Sequence, residues 1–254
     1  MADPKLLPPK TVEVVAELAR TKSGSETFLA EASDQRMYWI KAPDSPQGSR
    51  TLVAEVVAYG IGRAIGAQVP ENVLAVVPQG FSFRYSDGRY MQPGIAHGSR
   101  DIPDVQVSDD WDTYSHLDDN RRHQAFIAAM WDLCLGTDPQ WLHQFTAKYS
   151  MWSFDHGFWF AGESDWDINS LRTIGTSSWQ REIELAHASR GALNEAASRV
   201  DSLTFESLRT ITGFVPLDWD TTSAELEDLA ELLYARVAGV ADRLRQAALH
   251  TRYP

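Results

Sequence analysis

The sequence predicts an α+β fold in two parts: an antiparallel β-sheet carrying one helix, then a mainly α-helical region. Three observations predict it. Short apolar runs with strand-like alternation, separated by small polar turns, occupy most of residues 1–92 and are interrupted by one helix-like stretch. A polar, Asp-rich segment follows over residues 93–119. Beyond it, apolar residues recur at three- and four-residue steps almost to the end of the chain.

The elements follow in order. Residues 1–10 form a Pro-rich lead-in. Val12 and Val14 alternate within a strand over 11–18, and Thr21-Lys22-Ser23-Gly24-Ser25 breaks it. Strands over 27–31 and 37–41, joined by Ser33-Asp34-Gln35, complete a meander. Leu52, Val56 and Tyr59 give a helix over 51–65, with Ser49 or Thr51 near its N-cap and Gly66 ending it. Gly60 and Gly62 weaken its last turns. A strand over 72–77 and a hairpin over 81–92 around Ser86-Asp87-Gly88 bring the sheet to five or six strands. Residues 93–119 read as a linker whose aspartates face solvent. Phe126, Ile127, Met130 and Leu133 mark a helix over 121–135, followed by two short β-like runs and an irregular stretch to about residue 178. Helices are expected over 180–190, 193–200, 205–212 and 223–250. In the last, acids lie early and arginines late, as the helix dipole favours.

Composition bounds the function. The chain of 254 residues has a net charge of −12, which argues against a broad nucleic-acid or anionic-membrane surface, because phosphate binding needs a positive field. With one cysteine, Cys134, inside an apolar run, no internal disulfide forms, which suits a reducing compartment. The start lacks a signal-peptide pattern and no apolar run approaches the length of a spanning helix, so a soluble cytoplasmic protein is expected. Trp131, Trp141, Trp152 and Trp159 read as core. The seven histidines show no metal-ligand spacing, and neither Gly-x-Ser-x-Gly nor a Walker lysine motif occurs.

Two carboxylates stand out, each at the end of an apolar element. Asp138 follows a helix and the Gly136-Thr137 turn, and Asp155 ends a β-like run in Phe154-Asp155-His156-Gly157. That layout suits a pair aimed into one cleft, one handling a proton and the other holding a metal. A β-rich first part, a helix within it, a linker and a helical second part opening on such a loop is the order of a two-lobed protein-kinase-like fold. It divides the chain into an N-lobe (1–92), a hinge with an acidic insertion (93–119) and a C-lobe (120–254). Phosphoryl transfer requires positioning and charge neutralisation more than covalent chemistry. Lys41, closing the third strand, suits nucleotide phosphates, held by Glu55 on the next helix. Ser23, Gly24 and Ser25 suit a loop whose backbone N–H groups approach phosphate oxygens. Asp138 suits the base that accepts the acceptor hydroxyl's proton. Asp155 suits Mg²⁺, with Gly157 permitting the sharp turn that aims it. Each residue alone is an ordinary turn or strand end; their order carries the reading.

Tyr38-Trp39-Ile40-Lys41, Leu52-Val53-Ala54-Glu55, Gly66-Ala67-Gln68-Val69-Pro70, Gly94-Ile95-Ala96-His97-Gly98-Ser99, Gly136-Thr137-Asp138-Pro139-Gln140-Trp141-Leu142 and Phe154-Asp155-His156-Gly157 resemble the compact, single-domain branch of the HipA-like kinases. The resemblance covers roughly residues 11–250. It implies a bacterial-type phosphotransferase that uses ATP and Mg²⁺ and acts on a protein Ser/Thr or a small-molecule hydroxyl. It further implies a possible small antitoxin-like partner and autophosphorylation of the Ser23/Ser25 loop as a regulatory device. The family carries an Asn about five residues after the catalytic Asp as a second metal ligand. Here position 143 is His and no Asn occurs between 121 and 168, leaving the side-chain carbonyl of Gln140 or Gln144 to replace it. That departure supports an alternative: a pseudokinase acting as a nucleotide-binding or protein-interaction module.

Overall fold

The structure, a computed structural model, describes residues 6–162, 164–179 and 182–254. Five strands close into a barrel in the order β1-β2-β3-β5-β4. β1 (Lys10–Arg20), β2 (Phe28–Ala32) and β3 (Met37–Lys41) form the expected meander. Val12, Val14, Phe28, Ala30, Tyr38 and Ile40 turn inward as the two-residue period requires. β4 (Asn72–Val77) returns alongside β1 in parallel, with Lys10 opposite Val73 and Glu13 opposite Val76. The sheet is therefore closed and mixed, where an antiparallel sheet was expected.

Two further expectations change in this half. The segment from Pro93, read as a linker, begins with a strand, β5 (Gly94–Arg100), seated between β3 and β4. Its residues gave no apolar alternation because Gly98 must be small: a Cβ there would lie 2.7 Å from Val73 Cγ2. The hairpin over 81–92 shrinks to one bridge, Arg84 with Tyr90. Phe83 and Tyr85 instead turn into the barrel core, with Phe83 against Phe28 at 4.6 Å.

α1 (Arg50–Ile65) starts at Ser49 and ends at Gly66, whose φ of 93° closes the helix in the left-handed region. Thirteen of its sixteen residues are buried. Its Leu52, Val53, Val56, Val57 and Ile61 belong to the core of the helical half, distinct from that of the barrel.

Within the acidic segment lies a strand, β6 (Val105–Ser108), which joins β7 (Trp141–Gln144) and β8 (Ser150–Ser153) in a second antiparallel sheet. α2 (Asn120–Leu133) is the central helix, buried along most of its length. α3 (Ile168–Ile174) forms in the stretch expected to be irregular, capped by Asp167, which accepts from the N–H groups of Asn169 and Ser170. The helix expected over 180–190 does not form among the described residues; Gln180 and Arg181 lie outside them. Only a 3₁₀ turn occurs there, Leu185–His187. Ser189 then caps a new helix, α4 (Arg190–Asp201), by accepting from Ala192 N–H. α5 (Phe205–Thr212) and α6 (Ser223–His250) form as expected, each with a reciprocal capping box, Thr204/Ser207 and Thr222/Glu225. No helix among the described residues is long and apolar enough to cross a membrane.

Candidate active site

A cleft of about 360 Å³ opens between the outer face of β3 and β5 and the second sheet. Lys41, Glu55, Asp155, Gln140, Ser23 and His97 line it. β3 delivers Lys41 to its end, and α1, leaving the next loop, presents Glu55 to it. Lys41 Nζ donates to Glu55 Oε1 at 2.6 Å and also to Asp155 Oδ1. Glu55 Oε2 accepts the backbone N–H of His156 at 3.1 Å, while His156 Nε2 meets Ser153 Oγ at 3.0 Å. One carboxylate thus ties the third strand, the first helix and the Asp155 loop together.

Burial pushes the Lys41 ammonium down, but the charges of Asp155 and Glu55 overcome it and hold it above its ordinary value. Burial pushes the Glu55 carboxyl up; the Lys41 charge and the His156 hydrogen bond win, leaving it well below the usual carboxylate range. Asp155 has a φ of 55°, a left-handed conformation that Asp tolerates better than most residues. Gly157 does not have a positive φ, so its role differs from the one expected. The backbone passes so close to the ion pair that a Cβ there would lie 3.3 Å from Thr51 Cβ and 3.5 Å from Lys41 Nζ.

Asp138 sits just outside this lining. It is exposed, has a φ of 55°, and its Oδ2 accepts from Gln140 Nε2 at 2.7 Å. The amide of Gln140 therefore faces Asp138 with its nitrogen, leaving its oxygen for another partner. Gln144 is not brought to this place. Trp141 pairs with Ser153 and Gln144 with Ser150, so Gln144 lies at the far end of the hairpin, about 10 Å along the strand. Its Nε2 donates to Pro103 O at 3.3 Å. His143 is buried against the ring of Tyr114, with centroids 4.8 Å apart.

In the loop between β1 and β2, the hydroxyls of Thr21, Ser23, Ser25 and Thr27 follow one another at 2.6, 3.1 and 2.7 Å. Ser23 is exposed, whereas Ser25 is buried within that chain. Gly24 passes Gln47, whose Nε2 would be 3.0 Å from an added Cβ.

The site contains residues that sequence reasoning did not assign. His97 lies opposite Lys41 across the β3–β5 pairing, is almost wholly buried, and neither ring nitrogen has a hydrogen-bond partner. Burial pushes its pKa down to about 4, against the raising influence of Glu55. Trp39 Nε1 donates to Asp101 Oδ1 at 2.8 Å, fastening β3 to the chain leaving β5. Neither residue has a spacing that marks it, because each partner is set by the barrel's strand order.

The chain can be compared with known proteins on this basis. A sequence profile described as HipA-like kinase matches residues 12–251. The chain belongs to the HipA-like kinase family. The resemblance drawn from six short segments therefore holds over nearly the whole chain. A search of curated proteins gave no match. Among solved structures, this HipA-like kinase is similar to the Helicobacter pylori proinflammatory kinase CtkA, with a TM-score of 0.60 and 13% identity, covering 95% of this chain and 99% of that one. It is also similar to the Golgi casein kinase, with a TM-score of 0.47 and 10% identity over 96% of this chain and 72% of that one. The same enzyme with Mn/ADP bound gives a TM-score of 0.48 at 10% identity, over 96% and 74%.

Proposed function

We propose that the protein binds ATP with Mg²⁺ in the cleft and transfers the γ-phosphate to the hydroxyl of a Ser/Thr side chain or a small molecule. The observation that carries this reading is Lys41 joined to both Glu55 and Asp155 on the cleft wall. A buried, permanently protonated lysine suits phosphate oxygens, and Glu55 keeps it from swinging away. In this reading the barrel and the helical half are the two lobes, with the boundary following β5 at Arg100, later than residue 92.

The residues present fit a hard divalent cation. Asp155 and the free oxygen of Gln140 are oxygen donors in one cleft, as Mg²⁺ prefers. No cluster of three His, Cys, Asp or Glu that could hold a metal occurs among the described residues. Two protein ligands completed by substrate phosphates and water match how Mg²⁺ is ordinarily held. Such an ion, when bound, supplies charge neutralisation across the phosphates. Gln140 is preferred over Gln144 because only Gln140 lines the cleft. Asp138, steadied by Gln140, takes the proton of the attacking hydroxyl. The Ser23–Ser25 loop lies over the phosphates, and Ser23 is its accessible hydroxyl.

One observation favours the second reading, a pseudokinase that binds nucleotide without transfer: no Asn stands between residues 121 and 168 to serve as a second metal ligand. Thermal denaturation with MgATP, followed by ATP turnover, separates the two. Transfer predicts that MgATP raises Tm, that ADP accumulates, and that Asp155→Ala lowers turnover by at least about 100-fold. A Tm rise without turnover favours the pseudokinase, and no response to nucleotide removes both readings.

A further inference from the structure

The turn that carries Asp138 is not one the chain would hold by itself. Leu135 and Asp138 both have positive φ, 54° and 55°. Left-handed conformations are strained for residues other than Gly and persist where surrounding structure over-determines them. Three contacts do so here. Beneath the turn, Gly136 lies flat on the indole of Trp131, so close that a Cβ would sit 2.4 Å from the ring. At one side, Thr137 Oγ1 donates to Phe158 O at 2.7 Å, joining the turn to the segment that follows Asp155. From above, Trp179 Nε1 donates to Gly136 O at 2.7 Å.

Trp179 is itself fixed. It is almost fully buried, and its backbone N–H donates to Asp132 Oδ1 at 3.0 Å. Asp132, on α2, is held by Arg236 and Arg243 of α6, the latter through Nε to Oδ2 at 2.7 Å. Arg236 also donates to the carbonyls of Gly175 and Ser177, fastening the segment that leads to Trp179. The indole N–H therefore comes from a rigid anchor 43 positions downstream of the carbonyl it holds.

We propose that Trp179 is a positioning residue: its indole N–H fixes the Gly136 carbonyl and so the direction in which the Asp138 carboxylate points. The inference rests on Asp138 acting as the base. Trp179 does not line the nucleotide cleft, so its effect falls on turnover and leaves nucleotide binding alone. A misaligned base weakens transition-state contacts that the ground state does not make.

The test replaces Trp179 with 3-benzothienylalanine, which keeps the bicyclic shape and removes only the N–H, with Trp179→Phe as the encodable second variant. MgATP turnover to ADP is measured with nucleotide Kd and Tm. The expected result is kcat lowered about tenfold, with Kd within about twofold of wild type and Tm lowered by only the few degrees that one lost buried hydrogen bond costs. Asp138→Asn, measured alongside, separates the two ideas. If Asp138→Asn retains turnover, or the wild type has none, the base reading falls and this inference with it. If Asp138→Asn abolishes turnover while the benzothienyl protein keeps wild-type kcat, only the role of Trp179 is overturned. A loss confined to Tm or Kd overturns it too, since that is what a merely structural tryptophan gives.

Discussion

At the scale of single residues, the site is a buried charge set balanced around Glu55. His97 on β5 faces Lys41 of β3, Glu55 of α1, and Asp155 and His156 of the loop after β8. Its folded pKa of about 4 lies below the ordinary 6.5, so below pH 6.5 the unfolded chain binds a proton that the folded chain does not. Stability is therefore whole above pH 6.5 and declines as pH falls towards 4, by about 3 kcal/mol in total. Glu55, whose folded pKa is depressed, contributes in the same direction at lower pH, below its ordinary 4.5. Urea unfolding across pH 4–7 should show this slope, and His97→Leu should flatten its upper part. A slope unchanged in His97→Leu would mean that another group titrates there. The meeting of Lys41 with Glu55 was legible in the sequence because Lys41 ends a recognisable strand and Glu55 lies in the helix that follows it. His97 was not, because a lone histidine in a glycine-rich strand carries no pattern until the strand finds its neighbours.

At the scale of elements, α1 shows how sequence cues can point the wrong way. Gly60 and Gly62 look like weak points in a helix. In the structure they are where other helices touch: a Cβ on Gly60 would lie 2.5 Å from Ile211 Cγ2 of α5, and one on Gly62 would lie 2.7 Å from Met130 Sδ of α2. Alanine at either position gains roughly 1 kcal/mol in helix propensity. Overpacking costs about 1–3 kcal/mol. At Gly60 the opposing atom belongs to a stiff, fully buried, β-branched side chain, so the cost wins and Gly60→Ala should destabilise by up to about 2 kcal/mol. At Gly62 the thioether can move aside, although Val69 Cγ1 would also lie 3.1 Å away, so Gly62→Ala should destabilise by less than Gly60→Ala. Denaturant midpoints compare the two, and equal effects would show that backbone propensity, not contact, governs both. The same blindness to partners hid β5: a strand whose inward face offers only Ala96 and Gly98, and whose outer face lines a cleft with His97 and Ser99, has no apolar alternation to read. It also gave too much to residues 81–92, whose Phe83 and Tyr85 serve the barrel core in place of a hairpin face, whereas on β5 only Ala96 and Gly98 face that core.

At the scale of the whole molecule, the order of elements was readable and the closure was not. Local periodicity yields strands and helices in sequence. The parallel return of β4 along β1 is a long-range pairing that no window of residues contains. Over the described residues 182–190 the expected helix fails for a local reason instead, since Ser189 starts a new helix and supplies its cap. The extent to which α1 is enclosed has a consequence for dynamics. Shifting α1 as a body would uncover Leu52, Val53, Val56, Val57 and Ile61, all fully or almost fully buried. At about 1.5–3 kcal/mol each, that is on the order of 10 kcal/mol, comparable with the total stability of a domain. Amide hydrogen exchange along α1 should then proceed only through global unfolding, with opening free energies within about 1 kcal/mol of the denaturant value. Faster exchange confined to α1 would show the helix sliding as a unit. Slow exchange throughout means that Glu55 stays beside Lys41 for the lifetime of the folded state, so the pair is set once, when the chain folds.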